Sequence, residues 1–248
     1  MVAASPFMSR FFAFGDSFTD FKWSTWADIY GTNFTQYQNW GIRGSGNTAI
    51  HTQLVECILK KKIKQSDTIG IVWSSVFRLD AHNGKHWQCH GNVYKSPWAN
   101  DQHTQAWDIE GFLRRDLATI HSARKLLDST GCKYFMSAIM PFNLTKEYEP
   151  GTITSDFLKL YDNTIQLMSP TFVDVLYNGQ WSNMNQSYHR MERHPGPGEH
   201  LTWLQTVCPE FTIKPDTKML VDMEQKCISN LDYDTRKEFH SLPRPRHV

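Results

Sequence analysis

Arg10-Phe11-Phe12-Ala13-Phe14-Gly15-Asp16-Ser17-Phe18-Thr19-Asp20 runs from a short apolar stretch directly into a polar turn led by glycine. The short apolar run reads as a strand, and Gly15 lets the chain turn sharply after it. Phe18 to Tyr30 then spaces Phe21, Trp26 and Ile29 in a loosely helical pattern. The unit reads as strand, tight turn, helix, with Asp16 as a helix cap and Ser17 at the helix N-terminus. Unpaired amides and the helix dipole favour developing negative charge there.

The same order repeats outward. Tyr37 to Trp40 is strand-like, Gly41 to Gly46 is a glycine-rich turn, and Thr48 to Lys62 sets Ile50, Leu54, Cys57 and Ile58 on one helical face. Thr68 to Trp73 and Cys132 to Met140 read as central parallel strands. Between them, Trp107 to Leu127 places Ile109, Phe112, Leu113, Leu117 and Ile120 at helical spacing, ahead of the stop Ser129-Thr130-Gly131. Ser155 to Met168 is expected as a helix, Phe172 to Leu176 as a last strand, and Glu199 to Val207 as a further helix. Such alternation predicts an α/β fold, a three-layer α/β/α sandwich with a central parallel sheet and flavodoxin-like winding. Two regions break it: a polar aromatic insertion at about 80–106 and a C-terminal extension from about 209. One domain over 1–248 is expected for this length.

Composition narrows the partners. With 26 Lys and Arg against 25 Asp and Glu the net charge is +1, which argues against nucleic acid or an anionic membrane as partner. No run reaches the roughly 18–20 apolar residues of a membrane span, and the N-terminus lacks a signal-peptide pattern. Cys57, Cys89, Cys132, Cys208 and Cys227 are odd in number and widely spaced, as suits a reducing compartment. The cytoplasm of the producing cell is the expected location, with release inside an assembled particle left open. Composition carries no information on oligomeric state.

A serine hydroxyl is a poor nucleophile until a base takes its proton and donors receive the negative charge that follows. Ser17 is the candidate nucleophile. In Asn39-Trp40-Gly41-Ile42-Arg43-Gly44 the glycines permit close backbone approach, so the Gly44 amide can face an oxyanion. His194, in His194-Pro195-Gly196-Pro197-Gly198-Glu199-His200, precedes a rigid turn and is the candidate base, with Glu192 two residues upstream. Ligands of parallel α/β sheets bind at the carboxyl ends of the strands, and here the first three strands end in Gly-Asp-Ser, Gly-Ser-Gly-Asn and Trp-Ser-Ser.

Taken in order, these segments resemble the SGNH (GDSL-like) hydrolase superfamily. The resemblance implies an α/β sandwich, ester hydrolysis through an acyl-enzyme, and no cofactor. Gly15-Asp16-Ser17 corresponds to the first block of that family and Asn39 through Gly44 to the second, with Ser17 and Gly44 as oxyanion donors. The final block, Asp-x-x-His, matches at His194-Pro195, but Met191 stands at the Asp position and Glu192 is the acid left to orient the imidazole. The third block, Gly-x-Asn-Asp in the family, is replaced by Val72-Trp73-Ser74-Ser75-Val76-Phe77-Arg78. Ser75 or Ser74 is left to supply the third donor, and Arg78 and Asp16 are candidates for binding the substrate. The Trp-Ser-Ser-x-x-Arg variant and the His-Pro-x-Pro-x-x-His ending resemble divergent SGNH-like proteins of bacteriophages and other large viruses.

The remaining signals are weaker. His82, His86, Cys89, His90 and His103 match no standard zinc spacing, so no metal is expected. Trp87 and Trp98, with Tyr94 and Trp107, would form a sugar-stacking wall or pack among loops. His200, inside an expected helix, is assigned to packing. The reading that follows is an esterase acting on an acyl ester, an acetyl ester in particular, of a small molecule or carbohydrate. The rival is a binding or structural module, such as a particle component, that keeps the sandwich and lacks turnover.

Overall fold

A computed structural model describes residues 9–93, 109–142, 155–180 and 194–231. Its centre is a four-stranded parallel sheet of β1 (Arg10–Phe14), β2 (Gln36–Asn39), β3 (Thr68–Trp73) and β6 (Lys133–Ala138), ordered β2-β1-β3-β6. Phe12 lies between Gln38 and Ile69, and Ile71 pairs Met136. Phe11 to Phe14 and Ile69 to Trp73 are buried throughout, as strands covered on both faces must be.

The chain winds outward from β1 in both directions, so right-handed crossovers send the helices to opposite faces. Helix α1 (Trp26–Gly31) links β1 to β2 on one face, where Trp26 meets Phe11, Phe135 and Trp203 edge-on. Gly70 is required there, since a Cβ would come within 2.9 Å of the Trp26 ring. Helices α2 (Asn47–Lys61) and α3 (Ile109–Thr130) pack on each other on the opposite face, burying Ile50, Leu54, Leu113 and Leu117. The result is the α/β/α sandwich expected from the sequence. Among the described residues no helix is long and apolar enough to cross a membrane.

Four expectations are corrected. The helix expected over Phe18 to Tyr30 is only α1, because Thr25 and Asp28 form a capping box that starts it at Trp26. Ser155 to Met168 is broken at Tyr161 into α4 (Ser155–Leu160) and α5 (Asp162–Leu167). Phe172 to Leu176 is not a strand but lies in α6 (Phe172–Tyr177). Thr171 Oγ1 accepts from the Asp174 amide while the Asp174 carboxylate takes both the amide and the hydroxyl of Thr171. That reciprocal cap settles a short apolar run whose periodicity fits either state. Finally, Cys132 to Met140, expected as a central strand, is β6 at the edge of the described sheet, with its first three residues not fully buried. At the described start of the insertion, β4 (Arg78–His82) and β5 (Trp87–Asn92) pair as an antiparallel hairpin, Asp80 opposite Cys89.

Two helices complete the described chain. In α7 (Pro197–Val207), Trp203 stacks on Phe172 with centroids 4.1 Å apart. In α8 (Pro215–Asn230), part of the extension after 209, Val221 and Ile228 are buried and the helix packs on α7.

Candidate active site

The carboxyl ends of β1 and β3 meet where the strand order reverses, the position at which doubly wound sheets bind ligands. Gly15 follows β1. A Cβ there would collide with Thr19 Oγ1 and lie 2.8 Å from the Val72 carbonyl oxygen, so only glycine fits. The Asp16 carbonyl accepts from the Thr19 and Asp20 amides, and Asp16 Oδ1 accepts from the Phe18 amide at 2.8 Å. Ser17 therefore sits on a single tight turn and not, as expected, at the N-terminus of a longer helix. Its side chain reaches His194, with Nε2 2.8 Å from Ser17 Oγ.

His194 is held from two sides. Its ring stacks on Phe21, centroids 3.9 Å apart and 19° from parallel. The next residue, Pro195, has its carbonyl tied by the Trp23 indole N–H at 2.7 Å. Phe21 and Trp23 meet edge-on and share a small apolar cluster with Ile228 of α8. The same helix accepts the Ser24 amide on Glu224 Oε2 at 2.9 Å and the Gly198 amide on Gln225 Oε1 at 3.0 Å. The extension from 209 thus braces the segments on both sides of the histidine. None of these partners was singled out as a site residue in the sequence; the aromatic residues spaced closely after Ser17 were the available signal.

The Gly41–Gly46 loop is laced to the turn. The Gly15 carbonyl accepts from the Ile42 amide and from Ser45 Oγ, and Asn39 Nδ2 donates to the Thr19 carbonyl. Gly44 has φ +80, and a Cβ on it would lie 2.7 Å from the Cys89 carbonyl oxygen of β5. Among the described residues, the amides of Ser17 and Gly44 donate to no protein acceptor. From the hairpin, Asp80 accepts the amides of Gly46 at 2.6 Å and Ala49 at 2.9 Å, capping α2 from a distant part of the chain.

The Ser74–Arg78 segment is bound to both neighbours. Ser74 is fully buried and its Oγ donates to Asp16 Oδ2 at 2.9 Å, so that hydroxyl is already used. Ser75 is partly exposed, and its Oγ accepts the Phe77 amide at 3.3 Å while keeping its own proton to donate. Arg78 was a candidate for an anionic substrate group, but its guanidinium pairs with Asp16 Oδ2 at 3.0 Å and also donates to the Ser45 carbonyl. Asp16 itself has no exposed surface and braces the turn from within. Trp87 packs edge-on to His82 in the hairpin. Glu192, Trp98, Tyr94, His103 and Trp107 lie outside the described residues. His200 is buried in α7, edge-on to Phe18 and Phe172. No cluster of three metal-ligating side chains occurs among the described residues.

Two carboxyl groups near these segments are displaced by burial. Asp116 of α3 is raised to about 6, partly offset by Arg115 and Asn47. Glu199, which accepts the Gly196 amide, is raised to about 7. Because its folded pKa exceeds the ordinary 4.5, the folded chain binds this proton more tightly than the unfolded chain. Stability from this group is therefore present below pH 4.5 and lost as the pH rises through 7. Glu199→Gln keeps an acceptor for Gly196 without the charge. Urea melts should find the variant more stable by about 3 kcal/mol at pH 8, with the difference gone near pH 4. Equal stability at pH 8 would show that this carboxylate is not penalised.

No protein-family model and no curated protein matches the chain. Solved structures of similar outline include an acylhydrolase from Bacteroides fragilis, with 14% identity over 88% of this chain and 90% of that one, TM-score 0.47. A member of the lipolytic G-D-S-L family from Veillonella parvula is 13% identical over 82% of this chain and all of that one, TM-score 0.47. An acetylxylan esterase from Geobacillus stearothermophilus is 11% identical over 84% of this chain and 95% of that one, TM-score 0.43. None of the three comes from a virus.

Proposed function

We propose that the protein is a serine esterase that works through an acyl-enzyme on Ser17. The observation that carries this reading is the 2.8 Å approach of His194 Nε2 to Ser17 Oγ; the amides of Ser17 and Gly44, which donate to no acceptor among the described residues, support it. With its proton on Nδ1, His194 accepts the Ser17 hydroxyl proton through Nε2 as Oγ attacks the acyl carbon. The carbonyl oxygen becomes an oxyanion, and the amides of Ser17 and Gly44 donate to it together with Ser75 Oγ. The imidazolium then gives its proton to the departing alcohol. Water, deprotonated by the same nitrogen, attacks the acyl-enzyme and releases the acid and free Ser17. Glu192 is assigned to orient the imidazole.

The substrate in this reading is an acetyl ester on a carbohydrate. The hairpin beside Gly44 offers Trp87 and polar side chains, where a site for long acyl chains would offer aliphatic surface.

The test is incubation with p-nitrophenyl acetate and, separately, with a fluorophosphonate probe, followed by mass spectrometry of the labelled peptide. Hydrolysis and a phosphonyl group on Ser17 are expected. An intact, folded protein that neither hydrolyses the ester nor takes the label would be a binding module on this scaffold.

A further inference from the structure

The end of β3 carries Trp73-Ser74-Ser75 and no asparagine of its own, and an asparagine side chain from α2 grips its main chain. Asn47 is fully buried. Its Oδ1 accepts the Ser74 amide at 2.8 Å and its Nδ2 donates to the Ser74 carbonyl at 3.1 Å, so one side-chain amide grips both polar groups of one residue. The same Nδ2 donates to Asp116 Oδ2 at 2.7 Å, which fixes the amide's orientation, since the reversed orientation would set oxygen against oxygen. Asp116 is in turn held by Arg115, whose guanidinium also donates to the carbonyls of Val76 and Arg78.

Two paths lead from this grip to the proposed chemistry. The residue after Ser74 is Ser75, the hydroxyl assigned to the oxyanion. Ser74 Oγ donates to Asp16 Oδ2, and Asp16 Oδ1 accepts the Phe18 amide, the peptide that follows the nucleophile. We infer that Asn47, oriented by Asp116, is a positioning residue that sets the Ser75 hydroxyl and the Ser17 turn in register with each other. The inference rests on the esterase reading and adds to it a residue that touches no substrate. Its effect is on geometry in the transition state, so it acts on kcat and leaves ground-state binding alone.

The test compares Asn47→Asp with the exchange Asn47→Asp/Asp116→Asn, using p-nitrophenyl acetate turnover and the rate of fluorophosphonate labelling. In the single variant an aspartate faces the Asp116 carboxylate and cannot donate to the Ser74 carbonyl. A fall in kcat of about 10- to 100-fold is expected, with KM within about threefold of wild type. The exchange restores a hydrogen bond between 47 and 116 in the opposite sense and keeps an acceptor for the Ser74 amide. It is expected to recover about half of the lost factor on a logarithmic scale, as a purely packing role would not. If Asn47→Asp does not fold, Asn47→Ser, which is too short to grip Ser74 and leaves room for water, is measured in its place with the same expected split. An unchanged kcat in either folded single variant, or a change confined to KM, overturns the inference while leaving the esterase reading intact. Wild-type protein that neither turns over ester nor takes the label overturns both.

Discussion

Ser17→Ala is expected to lower kcat for p-nitrophenyl acetate by a factor on the order of 10⁴ or more and to abolish fluorophosphonate labelling, while the protein melts within a few degrees of wild type. The two halves of this expectation have separate causes. The Ser17 side chain makes one described hydrogen bond, to His194, so its loss removes on the order of 1 kcal/mol or less from the fold. In the proposed reaction the same atom is the nucleophile. His194→Ala should give a comparable loss, and the double variant should be scarcely worse than either, because a nucleophile without its base and a base without its nucleophile are equally idle. Losses that multiply in the double variant would mean that the two residues act independently, against the 2.8 Å contact.

Asp16→Ala is expected to have the largest effect on stability, about 3–5 kcal/mol in urea or thermal melts. Asp16 has no exposed surface and receives the Phe18 amide, the Ser74 hydroxyl and the Arg78 guanidinium. Removing the carboxylate leaves three donors short of an acceptor, one of them a charge on a mostly buried side chain. Breaking a buried pair by deleting one partner costs far more than the pair contributes as a whole. Adding Arg78→Met to Asp16→Ala removes the stranded charge, so the double variant should be more stable than Asp16→Ala alone. A double variant less stable by the sum of both changes would show that the ion pair does not couple them.

The sequence was most legible where a single signal governs a residue's environment. Ile69 to Trp73 is buried because both faces of its sheet are covered, and that alone placed one central strand, whereas the similar run from Cys132 turned out to be an edge strand. The turn at Gly15 was legible because few residues tolerate a neighbour as close as the Val72 carbonyl. Phe172 to Leu176 was misread as a strand because hydrophobicity was given more weight than Thr171 and Asp174, whose reciprocal cap decides the matter. Ser17 and His194 were legible as candidates, and the structure brings them together. Their supports were not. Asn47, Asp80, Asp116 and Trp23 act across separations of 27 to 172 residues, and nothing local to any of them announces its partner. Arg78 shows the converse, a charge read as facing substrate whose counter-ion lies 62 positions earlier in the chain, at Asp16.

The bracing of the histidine segment by α8 has a consequence for synthesis. The four strands of the described sheet, and Ser17 with them, all lie within the first 138 residues, whereas α8 begins only at Pro215. Until α8 is made, the aromatic bed of Phe21 and Trp23 lacks Ile228, and the Ser24 and Gly198 amides lack Glu224 and Gln225. During synthesis, therefore, Ser17 precedes by about 200 residues the α8 side chains that brace the His194 segment, so the contact between the two residues is expected to be secured late, after the sheet.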